Sequence, residues 1–372
     1  MAGEVLHLKE SGATPTIISK TIAALRAGKI VVFPTETVYG LGVLASQEDA
    51  IKRLIQGKGR KVGHALPVAI PGLSVLGRYS PNIDPISQRL ARRCWPGPLT
   101  LVLDSSSEQS ELTRLSAYVR KAIMPEGAVG YRVPKHDVFL QILKELDEPL
   151  VLTSANLSGE PPAVSADMAR VGLADFPDLI LDDGPAWFKN PSSVVAVRGN
   201  KLSVIREGAI SRENLKRLTA KIILFVCTGN TCRSPMAEQI CLSVIASELH
   251  CDISDLEDNG YVVMSAGVAT PGNAGASQGA RAAMREYGLS LDQHESQPIC
   301  ESLLRFADAI FVMGKAHRDA ILAQYPDTND RLYLLDPNDG EVTDPLGGDS
   351  ATYRSCAQQI ESAIYKRLNL IL

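Results

Sequence analysis

Eight consecutive residues, Cys227-Thr228-Gly229-Asn230-Thr231-Cys232-Arg233-Ser234, hold a nucleophile and a cation at a spacing that suits phosphorus chemistry. The apolar run Ile222-Ile223-Leu224-Phe225-Val226 leads straight into Cys227, and Pro235 comes next at a helix start, so the segment reads as strand, loop and helix. Five residues between Cys227 and Arg233 let the backbone curl its N–H groups into a ring, which the guanidinium closes with bidentate hydrogen bonds. A phosphate dianion fits inside such a ring. The same N–H groups and the helix N-terminus favour the thiolate of Cys227; Ser234 is placed to hydrogen-bond the sulfur and Asn230 to hold the loop in shape. A lone cysteine ending a strand is ordinarily a small buried thiol. The C-x5-R-S spacing between strand and helix selects catalysis instead. Phosphoryl transfer through sulfur also needs a carboxylic acid at the leaving group, which then serves as base for the water that frees the cysteinyl phosphate.

The first 210 residues carry no Walker A sequence, no HExxH and no cysteine–histidine spacing suited to a metal. Gly40-Leu41-Gly42 with Ala45 imitates the end of a dinucleotide fingerprint, but Pro34 at the preceding strand end is wrong for that motif. What stands out is the series Phe33-Pro34-Thr35-Glu36-Thr37-Val38-Tyr39-Gly40-Leu41-Gly42, Lys58-Gly59-Arg60, Trp95-Pro96-Gly97-Pro98-Leu99-Thr100, Tyr131-Arg132-Val133-Pro134 and Thr153-Ser154-Ala155-Asn156-Leu157-Ser158-Gly159. Singly these read as a strand end, a solvated basic turn, a tight turn and a capping serine. Together, Lys58, Arg60, Arg132 and Arg206 supply the cations a triphosphate needs, and Ser154 and Asn156 can hydrogen-bond phosphate or nucleoside groups.

The elements that position these residues are those of mixed α/β structure throughout, short apolar runs alternating with amphipathic helical patterns. At 372 residues the chain is long enough for two domains. Residues 29–33, 65–70, 100–103 and 149–153 read as strands, Thr14-Pro15 opens a helix that Gly28 closes, and residues 193–197 and 202–205 form a hairpin. The expected division is 1–210, a linker helix over 211–220, and 221–372. The first part is a mixed α/β twisted sheet and the second a doubly wound parallel sheet. With 45% hydrophobic and 22% charged residues and a net charge of −4, the chain is globular in composition and no electrostatic match for a nucleic acid backbone, so any RNA contact needs a local patch. Seven cysteines, an odd number, argue against a disulfide framework. No segment reaches the ~18 apolar residues of a spanning helix, and no membrane partner is expected. The expected compartment is the cytoplasm.

The loop and the residues after it resemble the low-molecular-weight protein-tyrosine phosphatase family over essentially all of residues 221–372. Ser265-Ala266-Gly267 matches that family's S-A-G segment, and Asp344-Pro345 its acid loop, which makes Asp344 the leaving-group acid by resemblance. Within the family, C-T-G-N-T-C-R-S with Thr231 is the octapeptide of the protein-arginine phosphatases, and Asp344-Pro345-Leu346-Gly347-Gly348 is close to their D-P-F-G-G. The resemblance therefore implies a phosphorylated protein substrate, phosphoarginine or phosphotyrosine, with Cys232 able to pair with Cys227 under oxidation. It implies no cofactor. Arsenate reductases share the loop but need two further cysteines, and Gln297-Pro298-Ile299-Cys300 offers one.

The first half resembles the threonylcarbamoyl-AMP synthase family, YrdC-like, over nearly all of residues 1–210. That resemblance implies threonylcarbamoyl-adenylate made from L-threonine, bicarbonate and ATP with Mg²⁺, releasing pyrophosphate, for threonylcarbamoyladenosine in tRNA. Carried over, Thr35, Arg132 and Ser192 hold L-threonine, while Lys58, Arg60, Ser154, Asn156 and Arg206 face ATP. tRNA or the transferase machinery that consumes the adenylate would be partners, and no protein-ligated metal is implied. The family's K-x-R-P-x-x-N-P-L-x-x-H stretch is here Lys58-Gly59-Arg60-Lys61-Val62-Gly63-His64-Ala65-Leu66-Pro67-Val68-Ala69. The expected whole is a bifunctional enzyme; the competing reading is a non-catalytic nucleotide- or RNA-binding module joined to an active phosphatase.

Overall fold

Tyr39, Leu41 and Val43 face one hydrophobic core while Phe33 and Leu44 face another, the period-two alternation of strands buried on both sides. The computed structural model describes residues 3–9, 14–59, 65–174, 176–199 and 201–372, and the chain divides into two units, Met1–Leu218 and Thr219–Leu372. The strands of the first unit are β1 (Glu4–His7), β2 (Val31–Phe33), β3 (Gly40–Leu44), β4 (Val68–Ala69), β5 (Leu99–Asp104), β6 (Ala128–Arg132), β7 (Leu150–Ser154), β8 (Leu179–Asp182), β9 (Ser193–Arg198) and β10 (Lys201–Arg206). Among the described residues they form one sheet in the order β1-β8-β2-β3-β7-β4-β6-β5-β9-β10. Pairing is mixed: β2 runs antiparallel to β3, β3 to β7 and β9 to β10, whereas β4 and β6, and β5 and β9, are parallel. This is the mixed α/β sheet and the hairpin expected from the sequence.

The glycines at 40 and 42 serve packing. A Cβ on Gly40 would lie 2.7 Å from Leu152 Cδ1, and one on Gly42 2.7 Å from the Phe33 ring, so β3 must be bare there to lie against its neighbours. The helix Arg212–Arg217 starts at Ser211, whose hydroxyl accepts from the Asn214 N–H, and it buries Leu215 completely in the first unit's core.

The second unit carries β11 (Lys221–Cys227), β12 (Tyr261–Gly267), β13 (Ala309–Val312) and β14 (Leu332–Leu334), ordered β12-β11-β13-β14 and parallel at every pairing. Ile223 and Phe225 of β11 join the core beneath helices Arg233–Leu249 and Ser350–Lys366, while Leu224 and Val226 join the opposite core with Leu304 and Ile321. The sheet is thus wrapped on both faces, which fixes β11 at its centre and delivers Cys227 to the C-terminal edge where α/β sheets bind ligands. Phe225 stacks on Phe311 across the β11–β13 pair, with ring centroids 5.6 Å apart.

Leu215→Ala is expected to cost the first unit about 2–5 kcal/mol, the range for truncating a fully buried leucine. Denaturant unfolding followed by near-UV circular dichroism measures it; a loss within noise would mean that the helix is not part of that core.

Candidate functional site

In the first unit a cavity of about 410 Å³ opens between β3, β5, β6, β7, β9 and β10. Thr35, Arg132, Ser154, Ser192 and Arg206 line it, so five of the eight residues assigned to threonine and ATP by resemblance meet in one space. Each of the last four is delivered by a strand end: Arg132 ends β6, Ser154 ends β7, Ser192 precedes β9 and Arg206 ends β10. Lys58 and Asn156 are not on this wall. Lys58 Nζ is turned inward, donating to the backbone carbonyls of Ser154 (2.5 Å) and Asn156 (2.6 Å), and the Asn156 side-chain amide donates to the carbonyls of Leu157 and Glu160. Both therefore hold the loop that presents Ser154. Arg60 and residues 61–64 of the altered Lys61–Ala69 segment lie outside the described residues.

The arrangement rests on a residue to which the sequence alone assigned no role. Glu36, with a fully buried side chain, accepts from Arg132 Nη2 at 3.0 Å and from the Lys135 N–H at 3.0 Å. The same Nη2 donates to Thr37 Oγ1 at 2.5 Å and reaches Thr35 Oγ1 at 3.4 Å, while Arg132 Nε is buried with no hydrogen-bond partner. Arg206 donates to the Ser192 carbonyl at 2.8 Å, and Ser192 Oγ lies 2.9 Å from Thr100 Oγ1. Burial, and then the nearby Arg132 charge, hold the Arg206 guanidinium below its usual pKa. Two guanidinium groups facing one cavity, with a buried carboxylate paired to Arg132, attract an anion. The clue to Glu36 was an acid in the middle of an apolar and hydroxyl-bearing strand end.

The cavity wall offers hydroxyls and guanidinium groups and no carboxylate free for a metal, and among the described residues no cluster of His, Cys, Asp or Glu could hold one. Magnesium suits this site only as the counter-ion that a nucleoside triphosphate brings with it.

In the second unit the loop after β11 curls around the Cys227 sulfur. The Asn230 N–H points at Sγ from 3.2 Å and Ser234 Oγ lies 3.0 Å from it. Asn230 adopts φ +53°, a left-handed conformation that asparagine tolerates, and its side chain fixes the turn by donating to Ser234 Oγ and Ser265 Oγ, both at 2.9 Å. Its Oδ1 accepts from the Gln297 N–H, and its backbone carbonyl lies 2.8 Å from His294 Nε2. Ser265 in turn donates to Glu238 at 2.5 Å. Arg233, at the start of its helix, is one-tenth exposed and donates to Asp344 Oδ2 at 2.5 Å; the Asp344 side chain is half exposed. Cys232 Sγ turns away to Ser277 Oγ, 3.2 Å, and Tyr353 OH, 3.6 Å. Thr231 borders the loop, and Leu346, two residues beyond the acid, is 73% exposed. Cys227, Asn230, Thr231, Cys232, Arg233, Ser234 and Asp344 therefore fall within one site. Glu238 and His294, and His317 with its Nε2 2.9 Å from Thr228 Oγ1, support that site without having been legible in the sequence.

Residues 23–208 match the family model Sua5_yciO_yrdC, described as telomere recombination, which is half of the chain. The chain belongs to that family. Residues 222–371 match the model of the low molecular weight phosphotyrosine protein phosphatases. The threonylcarbamoyl-AMP synthase of Pyrococcus abyssi (strain GE5 / Orsay) is 32% identical over 200 residues, 53% of this chain and 56% of its own length. The chain thus spans little more than half of that relative. A putative threonylcarbamoyl-AMP synthase of Mycobacterium tuberculosis (strain CDC 1551 / Oshkosh) is 33% identical over 53% of this chain and 87% of its own length. The crystal structure of P. abyssi Sua5 complexed with L-threonine has the same fold, with a TM-score of 0.52 and 22% identity over 70% of this chain and 92% of that one.

Glu36→Ala leaves a buried arginine without its counter-charge and is expected to cost about 3–5 kcal/mol, while Glu36→Leu with Arg132→Met should recover much of it. Denaturant midpoints decide; an unchanged midpoint in the single variant would contradict the pairing. In the second unit, burial raises the Glu238 carboxyl above its ordinary 4.5, against the lowering effects of Ser265 and His294. The folded state then holds that proton above pH 4.5, so the stability tied to it is full below 4.5 and lost as pH rises through the raised value. Glu238→Gln, which keeps an acceptor for Ser265, should therefore gain stability at pH 7 relative to pH 4, read from denaturant midpoints; equal shifts at both pH values would contradict it.

Proposed function

We propose that this chain is a bifunctional enzyme, making L-threonylcarbamoyl-adenylate in its first unit and hydrolysing phosphorylated protein side chains in its second. Supporting the first activity is the convergence of Arg132 and Arg206 on one cavity with Thr35 and Ser192. Thr35, Arg132 and Ser192 hold L-threonine, with Arg132 opposite its carboxylate; Arg206 and Ser154 face the triphosphate, and Lys58 and Asn156 act through the loop that carries Ser154. The threonine nitrogen bonds to the bicarbonate carbon as a C–O bond breaks and water leaves, the resulting carbamate oxygen attacks the α-phosphorus of ATP, and the bond to pyrophosphate breaks. Such a sequence asks the protein mainly for positioning and charge neutralisation. The adenylate would then pass to the machinery that modifies tRNA.

For the second activity the supporting observation is the Cys227 sulfur enclosed by the Asn230 N–H and Ser234 Oγ, with Arg233 and Asp344 beside it. The phosphoryl dianion enters the loop and takes Arg233 from Asp344. The thiolate attacks phosphorus, the bond to the leaving atom breaks, and Asp344 gives that atom its proton. Water then attacks the phosphocysteine, Asp344 takes the water's proton, the P–S bond breaks and inorganic phosphate leaves. Thr231 in the loop wall suits a slim phosphoguanidinium better than a flat phenol ring, so phosphoarginine is the preferred substrate.

Two assays on the purified chain test these activities. With ATP, Mg²⁺ and bicarbonate, pyrophosphate release should depend on added L-threonine; ATP binding without threonine-dependent product would reduce the first unit to a binding module. Cys227→Ser should abolish phosphomonoester hydrolysis and retain affinity for inorganic phosphate, and continued turnover would sink the cysteine mechanism. Thr231→Ile should shift the ratio of phosphoarginine to phosphotyrosine turnover toward phosphotyrosine.

A further inference from the structure

Thr228 comes directly after the nucleophile, and its residue is exposed at the mouth of the loop although its hydroxyl is not idle. Thr228 Oγ1 lies 2.9 Å from Nε2 of His317, a residue only 7% exposed in the first turn of the helix Lys315–Gln324. The same oxygen stands 3.5 Å from Arg233 Nη2, the nitrogen that also donates to Asp344 Oδ2. Two acceptor oxygens, one from Thr228 and one from Asp344, therefore converge on a single guanidinium nitrogen at the mouth of the phosphate loop.

The tautomer of His317 sets how Thr228 is oriented. Arginine only donates, so toward Arg233 the Thr228 oxygen can only accept; in the tautomer that leaves Nε2 bare, its single proton goes to His317 Nε2. His317 Nε2 is then the acceptor and Nδ1 carries the ring proton; Nδ1 is buried with no hydrogen-bond partner. An imidazole can accept only while neutral. Burial, and then the Arg233 charge, hold His317 below its ordinary pKa, outweighing the pull of Glu341 and Asp344. In that tautomer what Thr228 shows to the mouth is an oxygen with lone pairs and no proton.

We propose that Thr228, oriented by His317, determines specificity at this site by accepting an N–H from the leaving group, so that Thr228 and Asp344 together favour a phosphoguanidinium over a phosphoaryl ester. The proposal rests on the phosphatase reading and names the residues that recognise the leaving group. A guanidinium presents several N–H donors in one plane, and losing an acceptor for one of them leaves a desolvated donor unpaired. A phenolate leaving group has no N–H and gains nothing from the Thr228 oxygen. His317 here is a positioning residue, acting through Thr228.

The test measures kcat/KM for phosphoarginine and for p-nitrophenyl phosphate with the full chain carrying Thr228→Val, Thr228→Ser or His317→Phe. Thr228→Val is expected to lower the ratio of kcat/KM for phosphoarginine to that for p-nitrophenyl phosphate roughly tenfold, the size of one neutral hydrogen bond. Thr228→Ser should retain the wild-type ratio, and His317→Phe should add nothing to the loss when combined with Thr228→Val. If His317→Phe does not fold, the two Thr228 variants carry the test alone. Equal losses on both substrates, or no loss on either, would overturn the proposal and leave the phosphatase reading standing. Wild-type chain that hydrolyses p-nitrophenyl phosphate but not phosphoarginine would overturn it as well. Hydrolysis of neither would instead bring down the phosphatase reading on which it rests.

Discussion

A guanidinium withdrawn from water needs a carboxylate, and both units of this chain meet that requirement beside their ligand-binding spaces. Arg132 and Arg233 each have side chains about one-tenth exposed, and each donates through Nη2 to a single carboxylate. The partners differ. Glu36 is fully buried and further held by the Lys135 N–H, whereas Asp344 is half exposed on a loop. Removing Glu36 from Arg132 would strand two buried charges; Asp344 can leave Arg233 for solvent at small cost. On the proposed function, the first pair is a fixed clamp and the second a latch whose release would give Arg233 to phosphate and the carboxyl to the leaving group.

The rest of each unit is arranged to keep that difference. In the first, Arg132 ends β6 in the interior of the sheet, flanked by β4 and β5, and bare glycines on β3 let the strands close around the cavity. In the second, β11 lies between β12 and β13, its alternate residues buried in two cores, so Cys227 and the loop after it cannot drift. The acid loop carrying Asp344 is held through the Leu346 N–H to Asp344 Oδ1 and through the Val342 backbone, with Gly347 at φ +80° as a turn residue. Rigidity sits under the nucleophile, while the acid's side chain stands half exposed beside it.

Contiguity decided how much of this could be read from the sequence. Cys227 to Ser234 is eight successive residues between a strand and a proline, so its chemistry was legible without a fold. The α/β class and the hairpin of β9 and β10 were legible from runs of apolar residues and the turn between two of them. Glu36 and Arg132 are 96 residues apart and Thr228 and His317 89, joined only by sheet order and helix packing, and nothing local marks them as partners. Lys58 was legible as a cation but not as one turned inward onto the Ser154 and Asn156 carbonyls, because direction is set by tertiary packing. The strands β1, β8 and β14 are three or four residues long, too short for alternation to declare itself.

The most direct test of the clamp and the latch is a crystal structure of the chain soaked with L-threonine and inorganic phosphate. Phosphate in the Cys227 loop is expected to replace Asp344 on Arg233, while Arg132 keeps its contact with Glu36 as threonine binds. Phosphate bound with Arg233 still held by Asp344, or threonine bound with Arg132 pulled away from Glu36, would contradict the distinction between a fixed clamp and a releasable latch.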